Sequence, residues 1–369
     1  MSEKIQNLRA RIDDLNLTLL QVLSERARVA SEIGAEQSSL GMSQYDPSRE
    51  QQMLEALVAA NEGPFDAATV KSVFKQIFQA SMQVGKTEEK RSYLTSRGSK
   101  SHDSVVDVSG VLVGKGQPAV LIAGPCAIES REQVRAVARH VASHGVKLFR
   151  GGAYKPRTDP YSFQGLGEEG LRLAREACDE HGLAFVSELV SSVDLPSFEE
   201  YVDLIQIGAR NMQNFTLLRA AGRSSKPVLL KRGLSATIEE WVMAAEYLMA
   251  EGNANVILCE RGIRTFERYT RNTLDVSAVA LAKLETHLPV LVDVTHSGGR
   301  RDLLVALTKA GLAVGADGIM IEVHPNPAVA LSDQKQQVDF DQFDDYLGEV
   351  GYHQRLTEKR LEVAGFGAR

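Results

Sequence analysis

The chain has 369 residues, 43% hydrophobic and 24% charged, with 42 Lys and Arg against 48 Asp and Glu for a net charge of −6. That length suits about two domains and buries a full core without disulfide staples. The acidic excess argues against non-specific attraction to nucleic acid or to an anionic membrane. Apolar runs such as Pro289–Val294 are too short to span a bilayer, and Met1-Ser2-Glu3-Lys4 opens no signal-peptide core. Three cysteines, Cys126, Cys178 and Cys259, form no paired framework, which fits a reducing compartment. A soluble cytoplasmic enzyme is expected.

Residues 1–90 hold no strand-like run. Ile5, Leu8, Ile12, Leu15, Leu19, Leu23, Val29 and Ile33 recur largely in steps of three and four, which predicts one long helix with a single apolar stripe. Asp46-Pro47, a capping residue before a first-turn proline, starts a second helix that ends near Asn61–Gly63. Asp66 caps a third, carrying Val70, Val73, Phe74, Ile77 and Phe78. Three such helices close no large core alone, so an intertwined dimer is expected. A charged, Ser-rich, aperiodic stretch follows and reads as a linker at 91–104, ahead of a domain at 105–369. Val105–Val108 and Val111–Val113, around Ser109-Gly110, predict a short hairpin.

From Ala119 onward, short β-branched runs alternate with amphipathic segments. Strands are expected to begin at Ala119, Lys147, Leu183, Asp203, Pro227, Asn255, Pro289 and Gly318. Eight β/α units in this length predict an α/β fold, a closed (β/α)8 barrel behind the all-α domain and hairpin. An open doubly wound sheet is the alternative, but no Gly-x-Gly-x-x-Gly turn supports it. A barrel carries its chemistry at the C-terminal strand ends. Those ends read Gly124–Cys126, Arg150–Gly152, Glu188, Gly208–Arg210, Lys231-Arg232, Glu260-Arg261, Asp293–His296 and Glu322–His324. A water-boundary origin explains one or two polar ends better than a full ring of them. Arg150, Lys155, Arg157, Arg210, Lys231 and Arg261 form a cationic set suited to phosphate and carboxylate oxygens. Cys126, His296, Glu322 and Asp333 mix a thiol, an imidazole and two carboxylates, a set suited to one divalent Mn, Fe, Co or Zn ion. Cys178 and Cys259 read as small buried hydrophobes.

Gly124–Cys126, Phe149–Thr158, Gln206–Gln213, Leu229–Gly233, Cys259–Gly262, Asp293–Ser297 and Glu322–Pro325 together resemble the 3-deoxy-D-arabino-heptulosonate 7-phosphate (DAHP) synthases, most closely the short-barrel subtype. Ala127 and Asp159 depart from it where Ser is expected. The resemblance implies condensation of phosphoenolpyruvate with erythrose 4-phosphate and water, releasing phosphate. It places phosphoenolpyruvate on Lys155, Ala209, Arg210, Lys231 and Arg261 with Arg150 at its carboxylate, and the sugar phosphate on Arg157 and Thr158. It gives the metal to Cys126, His296, Glu322 and Asp333, where it polarises the aldehyde. Glu188 is a candidate to activate water and Lys155 to protonate the new alkoxide. A related synthase using another aldose, and a non-catalytic phosphate sensor, are the rival readings. Residues 1–90 resemble a chorismate mutase domain, in which the first helix is exchanged between subunits, and a homotetramer is implied. Arg9, Arg26, Asp46, Arg49, Glu50 and Ser81 match that family. Gln37 replaces its catalytic lysine, no Lys occurs from Ile5 to Val70, and Gly85 replaces a Gln or Glu. A weak or lost mutase that binds chorismate or prephenate as an effector is expected, with a bifunctional enzyme as the alternative.

Overall fold

The computed structural model describes residues 3–40, 46–83, 93–156 and 159–352, so Arg157, Thr158 and Gly85 lie outside the described residues. Two compact units divide the chain, Met1–Ser92 and Tyr93–Arg369. The first holds α1 (Glu3–Ser39), α2 (Pro47–Ala59) and α3 (Ala67–Gln83), the last two following their capping signals. The Asp46 carboxylate accepts from the N–H groups of Ser48 and Arg49, and the Asp66 carboxylate from that of Thr69. The core of this unit is small: Leu54, Val70, Phe78 and Ser81 are its buried residues among those described.

In the second unit the Ser-rich stretch that reads as a linker is fastened to the barrel from Tyr93 on. Glu246 accepts from the backbone N–H groups of Leu94 and Thr95, and the Ser104 N–H donates to the His287 carbonyl at 2.7 Å. Composition hides this, because the contacts are polar and made one residue at a time. The antiparallel hairpin β1 (Val105–Val108) and β2 (Val111–Gly114) follows. Eight parallel strands then close into a barrel. They are β3 (Val120–Gly124), β4 (Leu148–Arg150), β5 (Ala184–Glu188), β6 (Leu204–Ile207), β7 (Val228–Lys231), β8 (Val256–Glu260), β9 (Val290–Asp293) and β10 (Gly318–Glu322). The seam closes where β10 pairs with β3. The principal outer helices are α4 (Arg131–Ser143), α5 (Glu168–His181), α6 (Leu195–Tyr201), α7 (Phe215–Gly222), α8 (Ile238–Ala250) and α9 (Val276–Glu285). After β9 come the short α10 (Val294–Gly298), then α11 (Leu304–Ala313) and, beyond β10, α12 (Phe340–Val350).

Two buried layers share these strands. Outward-facing residues such as Phe149, Phe185, Leu230 and Val292 pack on the helices. Inward-facing Ile122, Leu148, Val186, Leu204, Leu229, Cys259, Leu291 and Met320 fill the barrel, joined by Val106, Val108 and Val113 of the hairpin. The hairpin therefore supplies side chains to the barrel interior. It is pinned at its turn, where Ser109 Oγ donates to the Asp203 carboxylate at 2.7 Å. No described helix is long and apolar enough to cross a membrane.

Candidate active site

Side chains of a strand alternate between faces with a period of two. Two residues beyond the apolar interior layer, the same inward face therefore presents Arg150 after Leu148, Glu188 after Val186, Gln206 after Leu204 and Lys231 after Leu229. It presents Arg261 after Cys259, Asp293 after Leu291 and Glu322 after Met320 in the same way. A cleft of about 300 Å³ opens there, and Arg150, Lys155, Arg210, Lys231, Arg261 and Arg271 all line it with Glu188, Gln206, Gly208, Ala209, His296 and Asp333. The opposite phase carries Arg232 and Glu260 away from it. They pair at 2.9 Å, and Arg232 also pairs with Asp275 at 2.9 Å. His324 shares the phase of Glu322 but lies beyond the end of β10, and it faces Glu129 at 3.4 Å.

Five of the six cations expected from the sequence line the cleft; the sixth, Arg157, lies outside the described residues. Lys231 donates to the Asp293 carboxylate, and Arg150 stands 3.3 Å from Glu322 Oε1. Burial lowers the Arg261 guanidinium, and Asp293 partly restores it. Lys155 Nζ donates to the Cys126 carbonyl at 3.0 Å and lies 3.2 Å from its Sγ. Gly208 gives room to Glu188: a Cβ there would stand 1.9 Å from Glu188 Oε1.

The four residues singled out as metal ligands converge. Cys126 Sγ is 3.4 Å from Asp333 Oδ2, and His296 Nε2 is 3.4 Å from Glu322 Oε1 and 3.5 Å from Asp333 Oδ2. Ligand atoms of Cys126, Glu322 and Asp333 lie within 4.8 Å of one another. Metal bonds of about 2.0–2.3 Å place tetrahedral ligand atoms about 3.3–3.7 Å apart, so these spacings fit an ion. Glu322 Oε1 is buried without a hydrogen bond although Arg150 and His296 Nε2 stand 3.3 and 3.4 Å away, so it keeps a lone pair for an ion. Burial, then Glu322, pushes the Cys126 thiol up to about 12, so binding an ion there as thiolate releases a proton. His296 Nδ1 meets Asp293 Oδ2 at 2.7 Å. With Nδ1 donating, the Nε2 lone pair is left for the cluster. Burial by itself raises the Asp293 carboxyl, but His296, Lys231 and Arg150 outweigh that and hold it well below the usual carboxylate range.

Sequence reasoning missed the groups that aim these ligands. Gln336 Nε2 donates to Glu322 Oε2 at 2.8 Å and to Asp333 Oδ2 at 3.1 Å, and its oxygen accepts from Arg271 at 2.6 Å. Asp333 takes a left-handed backbone at φ 49°, a conformation Asp tolerates better than most residues. Neither Gln336 nor Arg271 ends a strand, so no sequence signal marked them. Gln206 had one, its even spacing from Leu204.

In the helical unit Arg26 and Ser81 meet: the Arg26 guanidinium donates to Ser81 Oγ and lies 4.6 Å over the Phe78 ring. Asp46 is engaged as the α2 cap, Arg49 and Glu50 stand in that first turn, and Arg9 lies in the exposed N-terminal part of α1. Gln37 is half-buried near the end of α1.

A family model described as DAHP synthetase I matches residues 88–357, and one described as chorismate mutase type II matches residues 8–86. The chain belongs to the DAHP synthetase I family. It is 56% identical over 257 residues to a phospho-2-dehydro-3-deoxyheptonate aldolase of Thermotoga maritima, covering 70% of this chain and 76% of that one. A crystal structure of the DAHP synthase from that organism matches with TM-score 0.68 and 55% identity, over 70% of this chain and 76% of that one. A 2-dehydro-3-deoxyphosphooctonate aldolase of Syntrophotalea carbinolica is 33% identical, over 66% of this chain and 93% of its own length. The synthase family, the barrel behind a hairpin, and the appended mutase-type region thus agree with the sequence reading.

Proposed function

We propose that the barrel condenses phosphoenolpyruvate with erythrose 4-phosphate and water to give DAHP and inorganic phosphate, in the cytoplasm. The observation that carries this reading is one cleft holding six cations beside a convergent thiol, imidazole and two carboxylates. Two phosphates and a carboxylate need several fixed donors, and guanidinium forks match their oxygens. Lys155, Arg210, Lys231 and Arg261 bind phosphoenolpyruvate, with Arg150 between its carboxylate and Glu322. Arg157 and Thr158 take the sugar phosphate. Carbon 3 of phosphoenolpyruvate attacks the aldehyde carbon while water adds at carbon 2 and phosphate leaves. Glu188 orients that water and accepts its proton, and Lys155 protonates the new alkoxide. Cys126, His296, Glu322 and Asp333 would hold one divalent ion, which supplies Lewis-acid polarisation of the aldehyde. The 56% and 33% identities to the heptonate and octonate relatives favour the four-carbon aldose over arabinose 5-phosphate. Phosphate release measured with each aldose, with and without exhaustive chelation, tests both points. Release with erythrose 4-phosphate that survives chelation overturns the metal, and preference for the five-carbon sugar overturns the substrate.

The helical unit is proposed as an effector-binding module with weak or lost mutase activity. Gln37 in place of a lysine carries this, because losing one preorganised donor to a developing oxyanion costs about 10²–10³ in rate. Prephenate or chorismate inhibits the synthase, and deleting residues 1–90 removes that inhibition. Ordinary mutase turnover that Gln37→Ala abolishes overturns it. Helix exchange through α1 and barrel pairing make the assembly a homotetramer, which light scattering tests.

A further inference from the structure

Outside the barrel seam, α12 lies against α4 through side chains that the synthase site does not use. His140 and His144 stand one turn apart on α4 and share a face; His144 is the residue that caps the helix. Their Nε2 atoms are each 2.9 Å from the same oxygen, Oδ1 of Asp344 on α12. Neighbouring rings orient both imidazoles. His140 stacks on Phe340 at 4.1 Å and 15°, and His144 sets its edge to Phe343 at 6.0 Å and 88°. One ligand atom from each residue falls within 4.8 Å of the others.

We propose that His140, His144 and Asp344 form a second divalent-metal site, of the zinc type, that clips α12 to α4 across the closing seam of the barrel. Two imidazoles and one carboxylate suit zinc and its late transition-metal neighbours, and are poor for magnesium or calcium. Zinc bonds of about 2.0–2.1 Å separate tetrahedral ligand atoms by about 3.3 Å, so each contact opens by about 0.4 Å to admit the ion. The Asp344 side chain is 46% exposed and has room to make that shift, and water completes the coordination. The site joins the helix after the last strand to the helix after the first barrel strand, so an ion held by the folded chain alone stabilises closure by linkage.

Zinc content per chain, measured on the full-length protein after equilibration with zinc and removal of free metal, tests this. His144→Gln and Asp344→Asn are each expected to hold one zinc fewer than wild type while keeping synthase turnover. In a Cys126→Ser background, zinc is expected to raise the unfolding temperature, and adding His144→Gln to abolish the rise. The matched comparison isolates the seam from the cleft, whatever the cleft binds. Equal zinc content in wild type and both variants, or a zinc-induced rise indifferent to His144, overturns the proposal.

Discussion

Asp293→Asn tests the link between the cationic cleft and the ligand cluster. Asp293 is fully buried, accepts from the His296 N–H at 2.9 Å through Oδ1, and meets both His296 Nδ1 and Lys231 through Oδ2. Asparagine keeps the shape and loses the charge. With its oxygen toward Lys231 and His296 Nδ1, its NH2 faces the His296 N–H. Turned over, the NH2 faces two donors instead. Removing one partner of a buried ion pair costs about 3–5 kcal/mol, and a surviving hydrogen bond returns about 1 kcal/mol. A loss of about 2–4 kcal/mol leaves a folded protein with a lower unfolding temperature, since domains hold about 5–15 kcal/mol. The sharper effect falls on His296, which loses the partner that fixes its tautomer, and an outer partner of this kind is worth about 10–100-fold in metal affinity. Metal-buffered titrations give that affinity directly, and phosphate release gives kcat alongside it. A variant that loses thermal stability yet keeps its metal affinity and kcat within about twofold refutes the assigned role of Asp293.

Gly208→Ala drives a methyl onto Glu188 and displaces its carboxylate. If Glu188 has the proposed role, phosphate release is expected to fall by about 10²-fold with the circular dichroism unchanged, the cost of a misplacement of about 1 Å. Asp203 accepts from the Phe185 N–H at 2.7 Å, from Ser109 and from Arg175, and these partners outweigh burial to hold its carboxyl below the ordinary value. A depressed folded-state value means that the unfolded chain binds the proton more readily. The stabilisation is therefore complete above the ordinary carboxyl range near 4 and fades as pH falls through the folded-state value. The gap in unfolding temperature between wild type and Asp203→Asn is expected to be full at neutral pH and to shrink in acid; a gap independent of pH counts against the paired carboxylate.

Strand starts read from the sequence fall within one residue of those observed, from Ala119 against Val120 to Gly318 against Gly318. The reason is local: each parallel strand is buried on both faces, so its apolar run begins abruptly after a polar turn. The lining of the cleft was legible to the same depth, because the inward side chains follow the strand phase. Lys231 enters the cleft and Arg232 leaves it, a distinction that adjacent letters do not show until Leu229 is known to face inward. Asp333, Gln336 and Arg271 come from loops, where no periodicity exists to place them; Asp333 entered the donor set by its ligand chemistry, and the resemblance gave it the same role. Their geometry depends on hydrogen bonds between segments distant in sequence, such as Arg271 to Gln336. The fastening of Tyr93–Ser104 escaped for the same reason.

The helical unit poses a different problem, because its apolar stripe is exposed among the described residues. Ile5, Leu8, Ile12, Leu15 and Leu19 are between 45% and 60% exposed. Fully burying such a side chain is worth about 1.5–3 kcal/mol, so this stripe forgoes several kcal/mol that a partner surface recovers. The partner proposed above is a second copy of the chain, whose own α1 carries the same stripe. Leu15→Glu separates the two situations. At a position that stays exposed, such a substitution changes stability by no more than about 0.5 kcal/mol and leaves the mass alone. At a covered position it buries a carboxylate against the partner's apolar stripe, which costs several kcal/mol and drives the chains apart. Light scattering is expected to show the mass of Leu15→Glu falling below that of wild type, the proposed tetramer, at micromolar concentration, with barrel turnover retained because no cleft residue lies in α1. An unchanged mass would place the stripe in water and refute helix exchange.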